Sequence, residues 1–310
     1  MQFAKRPLLS CTVAATIVVG TLVIAPFATF ANGAQLNKSL AKTSAVRYAH
    51  TAFSIRLEDQ LLAQLRYLPV KFVPAGTTTT TTTTVPTTTT TVPATTTTTT
   101  TLVTPALRDR LKAKKINPTS LRKGSFVWRF PKIVGPLRSL WSVGTDNVVL
   151  QGALMNFQAV HGLSWNTGMT STTWSLILQA ATRKQFDPNN YNYVVVSQVQ
   201  PEKLMLYVNG HHTYNSFVNT GVSSAPTADG TWPVYERFTV TTMSGTYPGG
   251  GKYSDPGIPW VSYFHGGDAL HGFLRSQYGF PQSLGCVEMP FANAQHLWPY
   301  TPIGTLVSVI

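Results

Sequence analysis

The chain has 310 residues, with 24 Lys and Arg against 11 Asp and Glu, a net charge of +13, and 43% apolar side chains. That length admits two domains of roughly 150 residues each, and the basic excess favours an anionic partner. Two cysteines, Cys11 and Cys286, are too few for a disulfide-stapled scaffold.

Residues 1–31 read as an export signal or membrane anchor. Lys5 and Arg6 form a basic start, Leu8 to Phe27 is apolar or small, and Thr29-Phe30-Ala31 offers the small residues a signal peptidase reads. The apolar run approaches the roughly 20 residues that span a bilayer, so an uncleaved anchor is the alternative. Either way the remainder lies outside the cytoplasm. Nucleic acid is then excluded as the anionic partner, and the aromatic residues fall in periodic, core-like segments rather than basic stacking motifs. Removing residues 1–31 leaves Cys286 as a lone exported thiol, which asks for a chemical role.

Within 35–75, Leu57 to Leu68 has leucines at helical spacing and predicts a short amphipathic helix. Residues 77–105 form a Thr/Pro-rich linker with too little apolar surface to offset chain entropy; it is expected to stay extended and solvated. A basic run, Arg108 to Lys123, follows.

Between 126 and 185 two helices are expected. Leu150, Ala153, Leu154 and Phe157 share one face; Trp174, Ile177, Leu178 and Ala181 share another, with Ser171 or Thr172 placed to cap the second helix. Phe157-Gln158, His161-Gly162-Leu163, Thr167-Gly168 and Thr173-Trp174 resemble the pattern of a small three-helix peptidoglycan-binding domain. From 192 the period becomes that of strands. Tyr193 to Val199 and Leu204 to Val208 flank Asn209-Gly210, a strong hairpin signal. Further strands are expected at 233–243, 260–265 and 304–309, and a short helix at 290–298 opened by Pro290.

Thiol catalysis needs a thiolate, a base and donors for a developing oxyanion. Cys286 lies in Ser283-Leu284-Gly285-Cys286-Val287-Glu288-Met289, where Gly285 permits a sharp turn that can aim the amides of 284–286 at one point. The base is expected upstream, because His296 falls inside the predicted helix; His265 and His271, each followed by glycine, are available. A metal site built from His265, Asp268, His271 and Cys286 is the alternative use of the same residues, without the usual ligand spacing.

His271-Gly272 followed by Ser283-x-Gly285-Cys286-Val287-x-Met289 resembles the signature of the YkuD-type L,D-transpeptidases. Thr227-Ala228-Asp229-Gly230 is similar to that family's TP-x-G turn, and Gly304-Thr305-Leu306-Val307 to its closing strand. The resemblance implies a multidomain protein: a mostly-β catalytic domain at 192–310, a β-sandwich with short helices, following the three-helix domain and linker. It implies Cys286 as acylated nucleophile, His271 as base with Gly272 offering a carbonyl to its other ring nitrogen, Ser283 shaping the site, and Gly285 and Cys286 donating oxyanion amides. His265, Tyr263, Leu284 and Glu288 would line the substrate pocket. No metal or organic cofactor is implied. The reaction implied is 3→3 crosslinking of peptidoglycan stem peptides through a thioester. The partners implied are the stems, the glycan and anionic wall polymers. L,D-carboxypeptidase activity and non-catalytic wall binding are the alternatives. Leu284 and Glu288 depart from the family, which often has His or Lys, and Arg or Asn, at those places; Glu288 would invert the charge near the substrate.

Overall fold

The computed structural model describes residues 52–76, 122–130, 132 and 135–310. The export signal or anchor at 1–31, the Thr/Pro-rich tract and most of the basic run lie outside the described residues. Among the described residues no helix is long and apolar enough to cross a membrane.

The leucine spacing yields helix α1, Ala52–Gln64, which starts and ends earlier than the sequence reading placed it. It ends at Arg66, whose φ of 70° reverses the chain. Strand β1, Val70–Pro74, follows and pairs antiparallel with β2, Gly124–Trp128, from Val70↔Trp128 to Pro74↔Gly124. Sequence alone offered no reason to join these strands, because their pairing spans the Thr/Pro-rich tract. In sequence, that tract lies between the two strands.

A short helix α2, Gly135–Ser139, precedes α3, Val148–Val160, and α4, Ser171–Arg183. Asn147 caps α3 by accepting from the Val149 and Leu150 amides at 3.1 Å. Thr170, one residue before the expected Ser171, caps α4 through the Thr173 amide. Leu57, Leu61, Leu62, Leu65 and Leu68 of the first helical segment pack with Leu150, Leu154, Phe157 and Ile177 in a single buried cluster. The region expected as separate, at 35–75, thus supplies a wall of the helical core.

The remaining residues form two sheets. One has the order β5-β4-β3-β11-β6 and the other β10-β9-β8-β7. The strands are β3 Asn192–Ser197, β4 Lys203–Val208, β5 His211–Phe217, β6 Gly230–Pro233, β7 Glu236–Thr246, β8 Lys252–His265, β9 Asp268–Gly272, β10 Val287–Met289 and β11 Leu306–Val309. Asn209 and Gly210 turn β4 into β5 with φ of 50° and 77°, as a two-residue primed turn requires. Helix α5, Phe291–Leu297, follows β10.

Strand β3 is buried on both faces. Tyr193 and Val195 join the helical core, whereas Val194 and Val196 join the core between the sheets. This is why Tyr193 to Val196 reads as a continuous apolar run rather than an alternating one. Helix α3 lies so close to the 304 turn that a Cβ on Gly304 would sit 2.2 Å from the Gly152 carbonyl. The described helices and sheets accordingly fall within one compact unit.

Candidate active site

Cys286 ends the turn that feeds β10. Strand β10 runs parallel to β9 with Val287 opposite Leu270 and Glu288 opposite His271. Continuing one step back sets Cys286 beside Ala269, whose backbone hydrogen-bonds the thiol. Ala269 and His271 are two residues apart on β9, so Cys286 and His271 project from the same face of the sheet. Tyr263 of β8 pairs with Ala269, which extends the row to Tyr263, Ala269 and Cys286.

The imidazole of His271 is buried, and its Nδ1 lies 3.0 Å from the Gly272 carbonyl. A carbonyl only accepts, so Nδ1 carries the proton and Nε2 keeps its lone pair. Gly272 offers that carbonyl from a tight place, where a Cβ would meet Phe291 at 2.9 Å and Pro259 at 3.1 Å. Burial pushes the His271 pKa below its ordinary 6.5 and pushes the half-buried Cys286 thiol up to about 12. The resting pair is therefore neutral thiol and neutral imidazole. The thiol donates to the Gly267 carbonyl at 3.7 Å.

A buried polar scaffold fixes the turn. Ser283 Oγ donates to the Cys286 carbonyl at 2.5 Å and accepts from the Gly285 amide at 3.2 Å. The Gly285 amide is thus engaged with Ser283. Gly285 has φ of 117°, and a Cβ there would meet Asp268 Oδ1 at 2.3 Å; conformation and space both require glycine. The Gly285 carbonyl accepts from Thr227 Oγ1 at 2.7 Å, and that oxygen accepts from the Gly221 amide at 2.8 Å. Behind Ser283, Thr220 takes the Ser283 amide on its carbonyl at 3.0 Å. Thr220 in turn gives its amide and hydroxyl to the buried Glu202 carboxylate at 2.7 and 2.8 Å.

Glu288 is buried, and both its oxygens are taken by Arg275, Nε at 2.7 Å and Nη2 at 2.9 Å. Arg275 Nη2 also donates to the Gln282 carbonyl at 3.3 Å, and its guanidinium lies 4.7 Å from the Phe273 ring centre. A bidentate pair of this kind is neutral overall. The charge inversion expected at Glu288 is therefore cancelled by an arginine 13 residues earlier, and the carboxylate faces Arg275 rather than the pocket.

His265 stacks on Trp232 with ring centres 4.1 Å apart, and its Nδ1 lies 3.5 Å from Asp268 Oδ2. Leu284 is half-buried in the turn. Tyr263 and Tyr235 flank the thiol, and the nearby Cys286 is among the groups that raise both hydroxyls, after burial itself. Thr227, Arg275, Thr220 and Glu202 were not read as site residues from sequence, and Asp268 was read only as a candidate metal ligand. Thr227 stood within a noted turn, whereas Thr220, Glu202 and Arg275 lie between strands, where spacing carries no periodic signal. Among the described residues no group of three or more His, Cys, Asp or Glu is placed to hold a metal.

Cys286, at the turn that feeds β10, and His271 of the parallel neighbour β9 thus share one face of a single sheet. Residues 191–309 match the YkuD family, described as the L,D-transpeptidase catalytic domain. No curated protein matches the chain. Among solved structures it is similar to an L,D-transpeptidase from Mycobacterium smegmatis, at 19% identity over 40% of this chain and 61% of that one, with a TM-score of 0.36. The catalytic domain of an Enterococcus faecium L,D-transpeptidase gives 22% identity over 38% of this chain and 96% of that domain, TM-score 0.36. L,D-transpeptidase 3 of Mycobacterium tuberculosis, carrying a faropenem-derived adduct, gives 15% identity over 39% and 60%, TM-score 0.35. The chain spans less than two thirds of the length of both mycobacterial proteins.

Proposed function

We propose that this chain is an exported, cysteine-dependent L,D-transpeptidase that forms 3→3 crosslinks in peptidoglycan. The observation that carries the reading is the shared face of Cys286 and His271, with Nε2 of the imidazole left as the free acceptor. The family match over 191–309 supports the same class.

The reaction begins from the neutral pair. As Sγ bonds the carbonyl carbon of the third stem residue, its proton passes to His271 Nε2. The Cys286 amide is the donor available to the oxyanion, since that of Gly285 serves Ser283. Collapse expels the terminal D-alanine amine, which takes the proton from Nε2 and leaves a thioester on Cys286. A side-chain amine of a second stem attacks the thioester and gives its proton to Nε2. The thiol leaves and is reprotonated. Helices α3 and α4, with the residues resembling a peptidoglycan-binding domain, hold the enzyme on the polymer and raise the local stem concentration.

The test is mass analysis of products from a disaccharide-tetrapeptide donor and an amine acceptor stem. A crosslinked dimer supports the reading, and tripeptide alone would replace it with an L,D-carboxypeptidase. Because His271 lies below its ordinary 6.5, its base form persists into mild acid. The acid limb of kcat/KM is expected below pH 6.5, and a limb well above that value would contradict the assignment.

A further inference from the structure

Away from Cys286, the helical region holds a cleft of about 720 Å³, within the roughly 300–1,000 Å³ of ligand pockets. Arg66, Lys71, Arg129 and Lys184 line it with Phe130 and Phe186, and no acidic residue is among the described residues lining it. The nearby Asp187 already accepts from the Asn156 side chain at 3.0 Å and the Asn189 amide at 2.9 Å.

Two of these cations are held where helices normally end in glycine or asparagine. The Tyr67 amide closes onto Leu62 O and the Gln185 amide onto Ala180 O, both at 3.0 Å. Arg66 and Lys184 are thus the left-handed residues of two helix ends, with φ of 70° and 54°. Arg66 and Lys184 make up half of the four non-glycine residues at positive φ among the described residues. A helix C-terminus attracts a cation, but it does not require that cation at the one position where a β-carbon is strained.

The cations are also ordered. Arg129 Nη1 donates to Arg66 O at 2.7 Å and Leu68 O at 3.0 Å, and its guanidinium lies 4.9 Å from the Phe130 centre. The Arg66 guanidinium lies 4.5 Å from the Phe186 ring centre. Phe186 nevertheless stays 45% exposed, leaving apolar surface against which the carbon face of a sugar ring can pack.

We propose that this cleft binds an anionic saccharide chain, its carboxylate or phosphate groups meeting Arg66, Lys71 and Lys184 while a sugar packs beside Phe186. This deepens the wall-binding part of the proposed function and does not rest on the chemistry of Cys286. Carboxylates would come from peptide-free glycan strands and phosphates from a glycerol-phosphate polymer.

The experiment is calorimetric titration of the full chain with each of those two polymers and with an uncharged chitin oligosaccharide. It compares wild type with Arg66→Asn/Lys184→Asn, and with Arg56→Gln/Arg122→Gln, which removes the same charge from another part of the helical region. Asparagine tolerates the left-handed conformation, so the first double variant should melt no lower than wild type. The expected result is binding of one anionic polymer, weakened about tenfold or more by Arg66→Asn/Lys184→Asn. The control should stay within about twofold, and Cys286 acylation should be unchanged in both. The polymer that binds identifies the source of the anion. Equal losses in both doubles, wild-type affinity in Arg66→Asn/Lys184→Asn, or equally tight binding of uncharged chitin would overturn the assignment of this cleft. If wild type binds neither anionic polymer, the wall-binding reading falls with it, while acylation continues to report on Cys286 alone.

Discussion

The helical region and the nucleophile turn are both buried, yet they are held by opposite means. Leu57, Leu61, Leu62, Leu65, Phe157 and Ile177 pack the first through apolar contact, which fixes volume and tolerates small shifts. The second is held by donors and acceptors, from Glu202 through Thr220 and Ser283 to Cys286, and from Thr227 to Gly285. Such a network specifies positions to within a hydrogen bond, and each lost member leaves a buried group unsatisfied. Stability and placement of the Cys286 sulfur are thus carried by different parts of the chain.

Breaking the site without breaking the fold gives the largest effect. His271→Ala should slow acylation of Cys286 by about 10²–10⁴, measured by stopped-flow with a carbapenem on folded protein, and should cost about 1–3 kcal/mol of stability because the buried imidazole serves the Gly272 carbonyl. A fall of less than tenfold would remove His271 as base. Next, Arg275→Met alone should cost about 3 kcal/mol in denaturant titration, the low end for a buried pair because Arg275 is partly exposed. Arg275→Met with Glu288→Met should recover most of that. Equal losses in single and double variants would show that the pair is not the source.

Leu62→Ala, in the helical core and fully buried, should cost about 2–5 kcal/mol while the folded protein acylates at the wild-type rate. A parallel fall in acylation would erase the division between the two regions. Thr227→Val is the converse probe, expected to cost about 1–3 kcal/mol yet to slow acylation as well, because the Gly285 carbonyl loses its donor. Unchanged kinetics there would mean that the turn holds its shape without Thr227.

The same contrast governs what sequence could reveal. Helical periodicity identified α3 and α4, and strand-favouring side chains beside the Asn209-Gly210 turn identified β4, because each of these signals is local. Chemistry alone singled out Cys286 and left His265 and His271 both open as its base; the resemblance chose His271. What escaped was long-range. The pairing of β1 with β2 depends on partners some 50 residues apart, and the leucines of α1 complete a core whose other half begins beyond the Thr/Pro-rich tract. Glu288 looked like an inverted charge until the fold brought Arg275 to 2.7 Å from its carboxylate. The protonation of Cys286 and His271 was also hidden, since desolvation depends on what is packed around a group and not on its neighbours in sequence.

The most direct test of the central claim is intact mass of the full chain after incubation with a carbapenem, beside Cys286→Ala. The strained β-lactam carbonyl should acylate the sulfur, giving one stoichiometric adduct on wild type and none on the variant. Folded wild-type protein that stays unmodified, or a Cys286→Ala variant that gains the same mass, would contradict Cys286 as the nucleophile.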